Sequence, residues 1–181
     1  MNETNPVQEI TPAAKSPKSR KWLRYGLNVL IIVVIVFGVR AWQQRNIVKG
    51  PAAPLSGLLM DGKQYVLPAK PSQPVLVHFW ATWCPVCRAE QGTIASLAHD
   101  NPNVITVAIW SKSDGEVQQY LREQAINFPV INDTDNLIGA KWGVGAVPAS
   151  FIIGTDGRIR FVEFGYTTEI GLRLRLWLAG F

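Results

Sequence analysis

The sequence predicts an α/β domain in which helices flank a central mixed sheet, with an N-terminal β-hairpin extension and one preceding transmembrane helix. Three observations carry this expectation. Short apolar runs of strand length alternate with helical patterns from residue 55 to residue 181. The two cysteines of the chain, Cys84 and Cys87, stand three apart where one such run ends and a helical pattern begins. An apolar stretch with a basic flank precedes the whole. Strands alternating with helices argue for parallel pairing through helical crossovers, and a closing hairpin adds antiparallel pairing.

Residues 1–21, rich in Pro, Ser, Thr, Asn and Lys, read as a disordered cytoplasmic tail. Residues 22–42 read as a transmembrane signal anchor. Leu27 to Val39 is almost continuously apolar, interrupted by Asn28 and Gly38, while Trp22, Tyr25 and Trp42 occupy interfacial positions. Lys15, Lys18, Arg20, Lys21 and Arg24 precede the apolar core, against Arg40, Arg45 and Lys49 after it, which places the N-terminus in the cytoplasm and exports the rest. A cleaved signal peptide is the alternative; Gly38-Val39-Arg40-Ala41-Trp42 offers no good small-x-small site and favours retention. Residues 43–54 form a linker, and residues 55–181 suit one compact domain.

Charge divides with this layout. Residues 1–49 carry eight Lys/Arg and two Asp/Glu, net +6; residues 50–181 carry ten and eleven, net −1. The excess of positive charge therefore reports membrane topology, and no nucleic-acid surface is expected.

Within the domain, Leu55–Leu59 and Gln64–Leu67 around Asp61-Gly62 form the hairpin. Val75–Trp80 is a continuous apolar strand, followed by a helix from Cys84 to about Ala98. Asn103–Trp110 is the next strand. Ser113 and Glu116 make a capping box for a helix ending near Ala125. Phe128–Ile131 is a short strand, with a helix near Asp135–Trp142. Ser150–Ile153 and Ile159–Phe164 are strands joined at Thr155-Asp156-Gly157. Thr168–Ala179 closes as a helix, with Ile170, Leu174, Trp177 and Leu178 as its core stripe and Arg173 and Arg175 pointing away.

The cysteine pair is the chemically informative feature. A helix N-terminus offers unpaired N–H groups and the positive end of the peptide dipole, and both favour thiolate. Pro85 fits the first helical turn, where its missing N–H costs nothing. A structural disulfide over two intervening residues would remove little chain entropy. A structural zinc site needs four ligands, and only His78 and His99 accompany the pair. Thiol–disulfide chemistry is the favoured reading, with Cu(I) binding by the two thiolates left open. Neither a GxGxxG nor a P-loop follows a predicted strand, so no cofactor is expected; beyond the two thiolates no metal ligands are assigned, since only Met1 and Met60 and no clustered histidines accompany the pair. An exported dithiol meets an oxidising compartment, so a reducing role requires an electron-donating partner.

Phe79-Trp80-Ala81-Thr82-Trp83-Cys84-Pro85-Val86-Cys87-Arg88-Ala89-Glu90, with Trp142-Gly143-Val144-Gly145-Ala146-Val147-Pro148 and Ser150-Phe151-Ile152-Ile153-Gly154-Thr155-Asp156-Gly157, resembles the thioredoxin superfamily. The match is to its membrane-anchored, exported TlpA/ResA-like branch, over roughly residues 50–181. It implies a thioredoxin fold, a redox-active disulfide between Cys84 and Cys87, and a cis-proline loop at Val147-Pro148 whose backbone can pair with an extended partner segment. It also implies a bacterial inner-membrane protein with a periplasmic domain. Cys84 is then the exposed nucleophile and Cys87 the resolving thiol, with Trp83, Pro85 and Val86 as support. Trp80 should pack inside. His78 departs from the branch, where a buried Asp or Asn is expected; it reads either as a base for Cys87 or as a core histidine bonded to the backbone. Glu90 reads as a solvated helix position, a proton shuttle being the alternative.

The branch implies reduction of disulfides in an exported partner protein, with electrons from a DsbD-like transmembrane donor. Uncharged Val86 leaves the pair without the cation that makes strong oxidants, which agrees. Disulfide formation, a copper-binding module and a non-catalytic docking module are the competing readings.

Overall fold

The computed structural model describes residues 25–35 and 50–181. The tail, both ends of the expected span and most of the linker lie outside these residues. The chain divides into two units, Met1–Val39 and Arg40–Phe181. In the first, residues 25–35 form a helix, α1. Among the described residues, no helix is long and apolar enough to cross a membrane.

The second unit holds a five-stranded mixed sheet. Its strands are β3 (Val75–Trp80), β4 (Val104–Ile109), β5 (Val130–Asp133), β6 (Ala149–Ile153) and β7 (Ile159–Phe164). They lie in the order β5-β4-β3-β6-β7. β3, β4 and β5 are parallel, and β6 and β7 run antiparallel to their neighbours. β1 (Ser56–Leu58) and β2 (Gln64–Val66) form the expected hairpin, with Ser56 opposite Val66. It abuts the sheet edge, where the Met60 N–H donates to the Val130 carbonyl over 2.9 Å. The turn into β7 requires Gly157: its φ is +76°, and a Cβ there would collide with the Ala69 carbonyl oxygen.

Pleating assigns β3 to two faces. Val75, Val77 and Phe79 pack with Ile105, Val107, Trp142 and Phe151. Leu76 points the other way, against Ile94 and Leu97 of α2 (Pro85–Asp100) and Leu172 and Leu176 of α5 (Glu169–Leu178). Trp80, on that same face, joins Cys84 and Cys87 at the C-terminal end of the strand. Each fully buried aliphatic side chain of this kind stabilises the fold by about 1.5–3 kcal/mol. The Ser113–Glu116 capping box opens α3 (Asp114–Glu123) as expected.

Two expectations need correction. β5 begins at Val130, two residues beyond Phe128, because the Pro129 carbonyl already accepts the Thr106 N–H and starts the ladder there. The larger error concerns α5. Ile170, Leu174, Trp177 and Leu178 face solvent, while Leu172, Leu176 and Ala179 are buried. Leucines at two phases give this helix two apolar stripes, and contacts with α2 choose between them. Ser96 donates to Glu169 over 2.9 Å, and Arg173 lies 2.6 Å from Asp100. Those bonds turn the Leu172–Leu176 side onto the sheet.

Candidate active site

Cys84 is the N-cap of α2, with φ −82° and ψ 114°, and Pro85 follows in the first turn. Its sulfur accepts the Cys87 N–H at 3.1 Å, so one orphan amide of the helix terminus is aimed at it. Cys84 and Cys87 are disulfide-bonded. Both residues are 4% exposed, so the expected contrast between an exposed first cysteine and a deeper second one is absent. The Val147 carbonyl oxygen, 3.8 Å from the Cys84 sulfur, helps to cover it. The Val147–Pro148 bond is cis, as the resemblance implied. The two sulfurs differ in bonding instead: Cys84 sits on the helix terminus, and Cys87 one turn inside.

Trp83 and Val86 present an apolar rim beside the disulfide, at 60% and 41% exposure. The turn after β4 fixes this rim. The Trp83 indole N–H donates to the Trp110 carbonyl at 3.0 Å, and the Thr82 N–H donates to Ser111 Oγ at 3.0 Å. Trp110 and Lys112 hold positive φ, 52° and 68°, on either side of buried Ser111. Trp80 is buried, as expected, and its indole N–H donates to Thr106 Oγ1 at 3.1 Å.

His78 is buried on β3, and its Nδ1 lies 2.9 Å from Ser150 Oγ on β6. Its partner is thus a side chain and not the backbone. Burial lowers its pKa to about 3, so the imidazole is neutral and a poor reservoir for protons near pH 7. Glu90 reverses the expectation of a solvated position. It is fully buried, on the same face of α2 as Cys87, Ile94 and Leu97. Oε1 accepts the Thr167 N–H at 3.0 Å, while Oε2 has no partner. Burial raises its pKa to about 7, against the smaller opposing effect of the Thr167 bond. This places a carboxyl titrating near neutrality one helical turn after Cys87 on the buried side of α2.

Glu90, Ser150, Thr167 and the Trp110–Lys112 turn are the residues that motif reading passed over or undervalued. For Glu90 a signal existed: 87, 90, 94 and 97 follow helical spacing on one buried stripe. Ser150 and Thr167 left none, since their partners lie 72 and 77 residues away in sequence.

This strand-to-helix dithiol facing a proline loop is the setting in which the whole-chain comparisons fall. The AhpC/TSA family pattern matches residues 48–162. The chain belongs to the AhpC/TSA family. Among relatives in that thioredoxin-like group, a thioredoxin-like protein of Haemophilus influenzae is 27% identical over 165 residues, covering 91% of this chain and 98% of that one. The thiol-disulfide oxidoreductase ResA of Bacillus subtilis is 26% identical over 163 residues, 84% of this chain and 89% of that one. Among solved structures, a secreted Mycobacterium tuberculosis disulfide oxidoreductase homologous to E. coli DsbE aligns with TM-score 0.57 and 26% identity, over 68% of this chain and 95% of that one. This AhpC/TSA member has the thioredoxin-like fold and is a thiol–disulfide oxidoreductase of the TlpA/ResA/DsbE type with a Cys84–Cys87 pair.

Proposed function

We propose that this chain is a membrane-anchored, periplasmic reductant of disulfides in exported proteins. The single observation that carries the reading is the placement of Cys84: an N-cap sulfur receiving a helix N–H, beside Val147-Pro148, with only uncharged Pro85 and Val86 between the two sulfurs. A helix terminus favours a thiolate at Cys84, and the absence of an added cation beside the pair supports a reducing role over a strongly oxidising one.

In the proposed cycle the Cys84 thiolate attacks one sulfur of a partner disulfide and expels the other as thiolate. Cys87 then gives its proton to the Glu90 carboxylate and attacks the Cys84 sulfur. The second partner thiol leaves, and Cys84–Cys87 is oxidised by two electrons. Trp83 and Val86 supply the apolar surface on which the partner lies, and the Val147 backbone pairs with its extended segment. A DsbD-like transmembrane dithiol returns two electrons to the pair. Trp22–Trp42 holds the chain in the inner membrane, its N-terminus cytoplasmic. The Cys-Pro-Val-Cys core with a short anchor is similar to suppressor of copper sensitivity protein D, and a copper-stress setting follows from that likeness.

The deciding experiment reads the redox state of Cys84 and Cys87 in bacterial membranes by acid quenching and thiol alkylation. Reduced thiols that become oxidised when a DsbD-like donor is deleted are expected. A pair that stays oxidised with the donor present, and has a potential near that of DsbA, overturns the reading in favour of disulfide formation. Stoichiometric Cu(I) uptake with no disulfide-reducing activity overturns it in favour of a copper module.

A further inference from the structure

The ladder between β3 and β4 ends at the pair Trp80 and Ala108, and each strand then runs into a turn. On the β3 side the Cys84 N–H donates to the Ala81 carbonyl at 3.2 Å, so Thr82 and Trp83 are the central residues of a turn that ends on Cys84. Such a turn leaves the N–H of its first central residue unused. The Thr82 N–H instead donates to Ser111 Oγ at 3.0 Å, and the Ser111 hydroxyl donates in turn to the Ile109 carbonyl at 3.0 Å. One hydroxyl thus bridges the two strands beyond the end of their ladder, and its residue is 1% exposed. The second central residue is tied to the same place, through the Trp83 indole N–H and the Trp110 carbonyl.

The turn that carries Ser111 is built to hold that hydroxyl still. Trp110 and Lys112, on either side of it, take positive φ. Residues with a Cβ keep that conformation only where neighbours enforce it, and such positions cluster at functional sites. The bonds from Thr82 and Trp83 enforce it from one side. From the other, Asn132 Nδ2 on β5 donates to the Lys112 carbonyl at 3.0 Å. The Lys112 ammonium is ion-paired with Glu116 at 3.1 Å, so the influence of this turn on the sulfurs is geometric.

Cys84 is held from two directions. Its sulfur accepts the Cys87 N–H at 3.1 Å on the helix side, and its own N–H closes the Ala81 turn on the strand side. How squarely the sulfur meets the helix terminus therefore depends on where that turn sits. We propose that Ser111 is a positioning residue of the redox site: its hydroxyl pins the Ala81–Cys84 turn to the end of β4 and keeps the Cys84 sulfur on the α2 amides that favour its thiolate. This rests on Cys84 as the attacking sulfur, as proposed above.

The test follows alkylation by iodoacetamide across pH, in the full chain reduced and held in detergent, with the modified cysteine identified by mass spectrometry. The wild type should react first at Cys84. Ser111→Ala removes the hydroxyl and changes no charge, and it should raise the pH midpoint of Cys84 alkylation by about half a pH unit. Ser111→Thr keeps a hydroxyl and should return the midpoint to that of the wild type. A hydroxyl that only supports the fold would lower the urea midpoint of Ser111→Ala and leave its alkylation profile unmoved, which overturns the inference. First reaction at Cys87 in the wild type overturns the attacking-sulfur reading along with it. Should Ser111→Ala not fold, Asn132→Ala decides, because it frees the Lys112 carbonyl from the far side of the same turn. A raised Cys84 midpoint in that variant supports the inference, and an unmoved one overturns it.

Discussion

Glu90 is the residue outside the disulfide on which the proposed cycle depends most. Its carboxyl is fully buried with Oε2 unpartnered, and that burial holds its pKa near 7. Below that pH it is protonated and unable to take a proton from Cys87. Glu90→Gln keeps the shape and removes the titration. It should slow resolution of the mixed disulfide by about tenfold to hundredfold at pH 8 and flatten its rise through pH 7. Stopped-flow tryptophan fluorescence of partner reduction across pH checks this; a variant with the wild-type midpoint would exclude Glu90. His78 is held neutral by burial, with its pKa lowered to about 3 and its Nδ1 2.9 Å from Ser150 Oγ, which favours Glu90 over it in the proposed role. Cys84, by contrast, was legible from the chain alone: its cap role needs only a cysteine, a proline and a helix start in sequence.

Elements repeat this division between local and distant information. The Ser113–Glu116 capping box and the 56–66 hairpin formed as expected because their partners lie within ten residues of each other. The facing of α5 was misjudged because residues 169–178 suit two rotations, and α2 decides between them through Ser96 and Asp100, more than seventy residues upstream. This correction is testable by truncation. Leu172→Ala, at a fully buried site, should cost about 2–5 kcal/mol, whereas Leu174→Ala should cost under about 1 kcal/mol. Urea unfolding of the two variants in detergent measures both; equal losses would restore the original facing. Likewise, the Trp110–Lys112 turn gave no warning in sequence, for nothing in Trp-Ser-Lys announces two residues at positive φ.

At the scale of the molecule, two buried titrating groups shape stability against pH with opposite signs. Glu90 has its folded pKa raised from 4.5 to about 7, so the unfolded chain loses its proton first and stability falls as pH rises through that interval. The loss is at most about 3 kcal/mol. His78 has its folded pKa lowered from 6.5 to about 3, so the unfolded chain gains a proton first and stability falls as pH drops from 6.5 toward 3. That loss is at most about 5 kcal/mol. Between pH 4.5 and 6.5 the two slopes cancel, which places the stability maximum there. Glu90→Gln should remove the alkaline fall and His78→Asn the acid fall, as followed by urea unfolding across pH. A His78→Asn curve that tracks the wild type below pH 6 would contradict the assignment. Stability and redox chemistry thus meet on one helix, with the dithiol at its start and the titrating carboxyl one turn further in. The most direct measurement is trapping by Cys87→Ser in cells, with covalent complexes resolved by mass spectrometry. Mixed disulfides with exported proteins joined through Cys84, absent from Cys84→Ser, are the predicted result. Equal trapping by both variants, or none by either, would contradict Cys84 as the attacking sulfur.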